Sequence, residues 1–415
     1  MPSAPTQLPL ELCEAVIDCL HDNRGCLRIC SLICRSWSPR ARRHLFRKVQ
    51  LLRRRQGLRF LAALESSWEA GTRIGEYVLD LELPRMGLTG KHRDLLLRCA
   101  LLVEISRHLP NLECLRMYDF DWNGLIFLME SAGLVDSASE IPDRSRTANA
   151  PATESESASA SSPSMLFPRL TSLRISSSAS SLIASGEAVV QFFKSFPELN
   201  ALDIAFMPTL EASRSVHPPD RIIARDSGGA PCVRLRELRL DTSTWAASPA
   251  LDWLSRPSVE LDLHKLDIDL FHTWGATSRL AELLGGRECA MLEHLAFSLS
   301  DVRVLPLLDL SKYRFLRSLH MRSYYHFKYI AQVFRDMHEE DAGDPVDWEA
   351  LNHALVSLSR RCPGLSITFD CRFDLVPPAD NFIRYTVRWM KDRLAPTLAA
   401  RHLDAKLVVN GVRYH

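Results

Sequence analysis

Cys26, Cys30 and Cys34 recur every four residues with His21 and His44 close by, and thiolate and imidazole are the ligands zinc prefers. On a helix those cysteines share one face on successive turns, whereas zinc needs four ligands converging tetrahedrally, usually from a tight turn and a second element. A buried cysteine acting as a small hydrophobe fits the positions better, so no metal is expected. From Arg35 to Arg59 the chain carries ten Lys or Arg residues with Trp37, Phe46 and Phe60 interleaved, the residue types of a nucleic-acid patch. Arg42, Arg43, Arg53, Arg54 and Arg55 mostly avoid the apolar positions, as an exposed helix face does, and a solvated surface is the reading taken. Catalytic signatures are missing: no phosphate loop, Gly-x-Ser-x-Gly, His-Glu-x-x-His, Cys-x-x-Cys or dinucleotide fingerprint occurs. The run His338 to Asp341 reads as a solvated turn, and His320 and His326 beside Tyr324 and Tyr325 read as strand packing. No enzyme and no cofactor are expected.

The elements that must carry these residues are bounded by bulk numbers. The 415 residues, 46% hydrophobic and 24% charged, have the mix of a folding globular chain and exceed a usual single domain. Lys plus Arg is 51 against 50 Asp plus Glu, so no global field recruits nucleic acid or anionic lipid. The start MPSAPTQLPLEL lacks a basic n-region and an apolar h-region, and Arg98 interrupts the apolar run from Leu95 to Ile105. Cytoplasm or nucleus, without membrane binding, is the expected address, and the eleven cysteines are expected as reduced thiols in the core.

Leu12, Val16, Ile17 and Leu20 put one apolar face on a helix that follows Leu8-Pro9 and stops near Asn23-Arg24-Gly25. The next run places Leu27, Cys30, Cys34 and Trp37 on one stripe, Ile29 and Ile33 on a neighbouring one, and Leu32 besides. Pro39 marks its end or the next start, and Ala41, Leu45 and Phe46 form a third short amphipathic stretch. Three short helices bury only a modest part of their own surface. The leftover stripe therefore calls for a partner.

In order and spacing, Leu8-Pro9-x-Glu11-Leu12, Ile17, Leu20, Leu27, Cys30-Ser31-Leu32-Ile33-Cys34-Arg35-x-Trp37 and Leu45-Phe46 resemble the F-box motif. That resemblance covers about one tenth of the chain. It implies docking to a Skp-family adaptor and, through it, to a cullin-RING ubiquitin ligase core. The residues it implies for holding the module together or meeting the adaptor are Leu8, Pro9, Leu12, Ile17, Leu20, Leu27, Cys30, Ile33, Cys34 and Trp37. His21 to Cys26 is polar where many family members place an apolar residue, so the second helix is expected to start less firmly.

After residue 75 a unit apolar-x-x-apolar-x-apolar recurs: Val78-Leu81-Leu83, Leu112-Leu115-Met117, Leu170-Leu173-Ile175, Leu199-Leu202-Ile204, Leu235-Leu238-Leu240, Leu263-Leu266-Ile268, Leu292-Leu295-Phe297, Leu316-Leu319-Met321 and, more weakly, Cys362-Leu365-Ile367. Several of the steps between middle residues cluster near 29. A proline or charged turn often precedes the unit, as in LPNLECLRM, FPRLTSLRI, FPELNALDI and CPGLSITF, and helix-period runs, Asp94 to Arg107, Glu187 to Phe196, Ser278 to Leu284 and Val346 to Arg361, intervene. This resembles a leucine-rich-repeat array. The Asn or Cys that usually follows each strand is absent, its place taken by Phe120, Ser178, Met207, Ser243, Phe271, Ser300 and Tyr324, so an irregular array is expected.

The expected fold is therefore α/β: a three-helix F-box-like module over 5–50, a connecting helix and linker over 51–75, and a solenoid over 76–415 of short parallel strands alternating with helices. A disordered Ser/Ala-rich insertion is expected at 131–165 and a C-terminal cap at 380–415, with a final helix from Asn381 to Leu394 and a hairpin at Asn410-Gly411. The function implied is substrate recognition for a Skp-cullin-F-box ubiquitin ligase, with an unknown target protein on the repeats. Its rival is a scaffold unconnected to ubiquitin whose first helices merely cap the array, with Leu12, Ile17 and Ile33 all sealed inside the chain. Residues between the apolar positions, among them Glu113, Arg116, Asp203, Arg236, Arg239, Lys265, Asp267 and Arg317, are mixed in sign and name no target.

Overall fold

Prolines punctuate the strands of this chain in a uniform way. In Leu109-Pro110-Asn111-Leu112, Phe167-Pro168-Arg169-Leu170, Phe196-Pro197-Glu198-Leu199 and Cys362-Pro363-Gly364-Leu365 the first carbonyl accepts from the fourth N–H at 3.1–3.3 Å. Each is a β-turn with proline at its second position, where a fixed φ is an advantage. First and fourth residues are buried in all four, so the turn anchors the strand that follows. The rings of Phe167 and Phe196 stack with centroids 6.4 Å apart.

The computed structural model describes residues 9–83, 100–118, 167–177, 193, 196–206, 233–243, 254, 259–271, 291–298, 313–325, 348–373, 380–400, 404–409 and 412–414. Helices α1 (Leu10–Cys19), α2 (Arg24–Ile33) and α3 (Ser38–Arg47) come first, then β1 (Lys48–Gln50), α4 (Arg54–Glu69), a 3-10 turn (Ile74–Tyr77) and β2 (Asp80–Glu82). Strands β3 (Cys114–Tyr118), β4 (Ser172–Ser177), β5 (Ala201–Phe206), β6 (Val233–Ser243), β7 (Val259–Phe271), β8 (His294–Ser298) and β9 (Ser318–Tyr325) follow. The chain closes with α5 (Trp348–Arg361), β10 (Ser366–Phe373), α6 (Asp380–Arg393), α7 (Ala395–Leu398), β11 (Asp404–Val409) and β12 (Val412–Tyr414). The protein is α/β with an N-terminal helical segment. Among the described residues no helix is long and apolar enough to cross a membrane.

Two compact units divide the chain: Met1–Ile175 with Leu182–Leu199, and Ser176–Ser181 with Asn200–His415. Strands β1 to β4 neighbour one another in chain order in the first, and β5 to β12 do so in the second. Among the described pairings all are parallel except the closing hairpin β11–β12, which is antiparallel, with Val409 opposite Val412.

The recurring apolar triplets are the inward positions of these strands. Every one of the residues quoted for them is buried except Leu83, which is half-buried. Leu81 pairs with Leu115, and Leu202, Leu238, Leu266, Leu295 and Leu319 pair in succession. Full burial of each such side chain stabilises by about 1.5–3 kcal/mol. Between turn and strand, two consecutive N–H groups converge on one carbonyl of the preceding strand: Thr171 and Ser172 on Glu113, Arg236 and Glu237 on Asn200, Arg317 and Ser318 on Glu293.

The last triplet departs from expectation. Leu319 pairs with Ile367 rather than with Leu365, and Met321 with Phe369. The turn that contains Gly364, at φ +83°, has the same four residues as the others, but only Ser366 separates it from the paired Ile367, where the other repeats place two residues. Only Ser366 N–H then reaches the Arg317 carbonyl.

Strands run past the points where a regular repeat would leave the sheet. Ser243 pairs with Phe271, and Tyr324 with Arg372. With no Asn side chain there to satisfy loop backbone groups, the strand ladder itself satisfies them. A further strand also precedes the expected repeat region: α3 ends at Arg47, β1 begins at the next residue and pairs with β2, and α4 makes the crossover between them. Expected helices at 94–107 and 346–361 correspond to a helix at 100–106 and to α5. The insertion at 131–165, the expected helix at 278–284 and the turn residues 410–411 lie outside the described residues.

Candidate partner-docking site

The N-terminal helices enclose a small core of their own. Ile17 of α1, Leu27 and Cys30 of α2 and Ala41 of α3 are buried together, with Leu20, Trp37 and Leu45 packed against them. Helix α1 opens with Pro9, whose carbonyl accepts from Leu12 N–H at 3.1 Å and Cys13 N–H at 3.2 Å. Helix α2 starts at Arg24, inside the segment expected as a linker, because the Asn23 side chain caps it by accepting from Cys26 N–H at 3.1 Å. The weak start anticipated from the polar linker is thus corrected.

Helix α2 ends at Ile33 and does not carry the stripe on to Trp37. Cys34 is extended, with φ −155° and ψ 163°, so its side chain leaves the stripe and is exposed. Ser36 Oγ lies 3.1 Å from Cys34 Sγ, and with the Trp37 N–H it holds the thiol below the ordinary cysteine range. Trp37 instead begins α3, which has Pro39 in its first turn.

A carboxylate locks α1 to α3. Asp18 Oδ1 accepts from Arg40 Nε at 2.7 Å and lies 2.7 Å from His44 Nε2, while Asp18 Oδ2 meets Arg40 Nη2. The Arg40 guanidinium first, and then His44, hold the carboxyl of Asp18 far below the usual carboxylate range. At the other side of the module Arg24 Nη2 donates to the Lys48 carbonyl at 2.9 Å. That bond covers an edge group of β1, the kind of open acceptor that otherwise invites another strand.

The module leaves large apolar side chains uncovered on α1 and α2. On α1, Leu10, Leu12 and Val16 are 48%, 54% and 51% exposed, and on α2, Ile29, Leu32 and Ile33 are 63%, 85% and 57% exposed. Leu12, Val16 and Cys19 sit at i, i+4 and i+7, a full stripe beside the stripe of buried Cys13 and Ile17 and half-buried Leu20. Helices with two adjacent apolar stripes, one sealed and one open, have surface to share.

The residues singled out from sequence therefore divide. Ile17, Leu27 and Cys30 are core, Leu20 and Trp37 line it, and Pro9, Leu12, Ile33 and Cys34 are exposed; Leu8 lies outside the described residues. Leu10, Val16, Ile29 and Leu32 were missing from that set, though the excess of apolar positions around both helices was the signal for them. The Asp18–Arg40–His44 lock was also missed; its signal is Arg40 and His44 at i, i+4 on a helix without acids.

The cysteines are only in part the core thiols expected. Cys13, Cys30, Cys362 and Cys371 are buried, but Cys19 and Cys34 are exposed, and all the described cysteines are free. Burial and the neighbouring Asp370 push the Cys371 thiol up to about 12. Among the described residues no three His, Cys, Asp or Glu side chains are grouped to hold a metal ion.

A second polar arrangement lies on the strands of the second unit. Asp203, Arg239 and Asp267 are successive register partners, with Arg239 Nε 3.9 Å from Asp203 Oδ1 and 3.7 Å from Asp267 Oδ2. Arg322 reaches across β8 to Asp267, its Nη1 3.3 Å from Oδ2, and His320 Nε2 lies 3.4 Å from Asp370 Oδ2. These charges of opposite sign pair with one another across the strands.

No protein-family model matches the chain, and no curated protein is similar enough to it to count as a relative.

Proposed function

We propose that the chain is the substrate-recognition subunit of a Skp-cullin-F-box type ubiquitin ligase. Its N-terminal helices dock a Skp-family adaptor, and an irregular leucine-rich-repeat-like solenoid holds a target protein. The observation that carries this reading is the divided apolar surface: Ile17, Leu27 and Cys30 are sealed while Leu12, Val16, Ile29, Leu32 and Ile33 stay open. The capping scaffold required Leu12 and Ile33 to be sealed, and their exposure favours the docking reading over it. Catalysis belongs to partner subunits. The chain contributes proximity, which raises the effective concentration of a target beside the loaded ubiquitin thioester.

The full chain mixed with a Skp-family adaptor co-elutes with it in size exclusion, and Leu12→Asp or Ile33→Asp abolishes that co-elution while leaving the chain folded. Failure of the unaltered chain to co-elute under several salt conditions removes the ligase assignment.

A further inference from the structure

We propose that the docking face selects an acidic partner: the adaptor presents an apolar groove rimmed by carboxylates, which the arginines of α2 and α3 capture before the aliphatic face seats. This rests on the adaptor-docking reading above and names the chemistry of that partner.

From Asn23 to Leu64 the sequence has twelve Lys or Arg residues and no Asp or Glu, in a chain whose totals are 51 and 50. The asymmetry is thus local and not compositional. α1 carries Glu11, Glu14 and Asp18, of which Asp18 is engaged by Arg40 and His44, so the cationic excess belongs to α2 and α3. Arg28, Arg35, Arg42 and Arg43 are exposed, and among the described residues none of them has an ion-pair partner. Arg28 stands next to Ile29 and four residues before Leu32, and Arg35 follows Ile33 by two, so cations stand beside the open apolar residues of α2.

Arg43 also has Arg47 at i+4 on α3, and like charges at that spacing destabilise a helix. A surface that leaves such repulsion uncompensated gains from an acidic partner. Complementary charge raises the association rate more than it lowers the dissociation rate.

Nucleic acid is the other polyanion such a surface would attract, and the structure disfavours it. Single strands are held by exposed aromatic platforms, whereas Trp37 packs against the module core and Phe60 is buried. The open aliphatic side chains Ile29, Leu32 and Ile33 that stand among the arginines match nothing on a phosphate backbone.

The test measures association and dissociation of the full chain with a purified Skp-family adaptor from about 50 to about 500 mM NaCl. The unaltered chain associates at least tenfold more slowly at high salt. The triple variant Arg28→Glu/Arg42→Glu/Arg43→Glu binds as slowly at low salt and loses the salt slope, while Leu32→Asp accelerates dissociation with the slope intact. Circular dichroism melts check folding, and Arg28→Gln/Arg42→Gln/Arg43→Gln replaces the reversal if it misfolds. Complex formation at a rate indifferent to salt and to either triple variant overturns this proposal and leaves the adaptor reading standing. A DNA duplex of arbitrary sequence bound more tightly than the adaptor overturns it in favour of nucleic acid. No complex at any salt removes both.

Discussion

Asp18 of α1 and Arg40 of α3 meet through two points, Nε to Oδ1 at 2.7 Å and Nη2 to Oδ2, and His44 shares the same carboxylate at 2.7 Å. Two helices twenty-two residues apart along the chain are thereby fixed in one orientation. The open apolar stripe of α1 then keeps a defined place beside α3. The lock positions the docking face without forming part of it.

That relationship makes the module acid-sensitive. The folded-state pKa of Asp18 lies below its unfolded value, so its stabilisation is fully present above about pH 4 and is lost as the pH falls through the folded pKa. Asp18→Asn has no such ionised state. The difference in melting temperature between the native chain and Asp18→Asn is largest near neutral pH and shrinks steadily below about pH 4, as thermal melts across pH will show.

Core and docking face separate by mutation. Ile17 is fully buried and Leu32 is 85% exposed, so Ile17→Ala destabilises by about 2–5 kcal/mol and Leu32→Ala by no more than about 0.5 kcal/mol. Urea unfolding followed by tryptophan fluorescence measures both. On the proposed docking role the order reverses for adaptor binding by the folded variants, with Leu32→Ala expected to be the more damaging.

The two glycines near the 3-10 turn respond differently to alanine. A Cβ on Gly75 would lie 2.0 Å from the His108 carbonyl oxygen, while one on Gly71, at φ +68°, meets nothing within 4 Å. Gly75→Ala must push backbone apart and lowers stability by about 1–3 kcal/mol or more. Gly71→Ala bears only the left-handed penalty of about 1–2 kcal/mol. Unfolding midpoints rank the two variants, with the Gly75 variant the less stable.

A buried amide holds the C-terminal elements together. Asn352 of α5 donates from Nδ2 to the Trp348 carbonyl at 2.8 Å and the Arg393 carbonyl at 2.7 Å, and its Oδ1 accepts from Thr397 Oγ1 at 2.5 Å. Asn352→Leu removes the side-chain partner of the Arg393 carbonyl and of the Thr397 hydroxyl, and a buried polar group left unpaired costs about 1–3 kcal/mol. Amide hydrogen exchange is expected to accelerate in α6 and α7 before it does in β6 and β7.

The apolar triplets were legible because a strand alternates its faces whatever surrounds it, and the prolines ahead of four of them marked turns whose geometry is local. The register slip at Ile367 was not, since it follows from a link between turn and strand that is one residue shorter and from a carbonyl contributed by the preceding repeat. Strand β1 escaped notice because three residues, Lys48 to Gln50, carry too little pattern to stand out from the basic run around them. In the site, Ile17, Leu27 and Cys30 could be named as apolar helix positions, but so could Leu12 and Ile33, and periodicity treats the two groups alike.

By itself the sequence determined that three short amphipathic helices precede a series of strands, and that the helices carry more apolar residues than they can bury, because these are consequences of residue type and spacing within one element. Which apolar stripe is sealed, where α2 stops, and that Asp18 finds Arg40 and His44 were decided only by tertiary structure. Those outcomes depend on how helices approach one another in space, and contacts between elements far apart in sequence leave no periodic trace within either one.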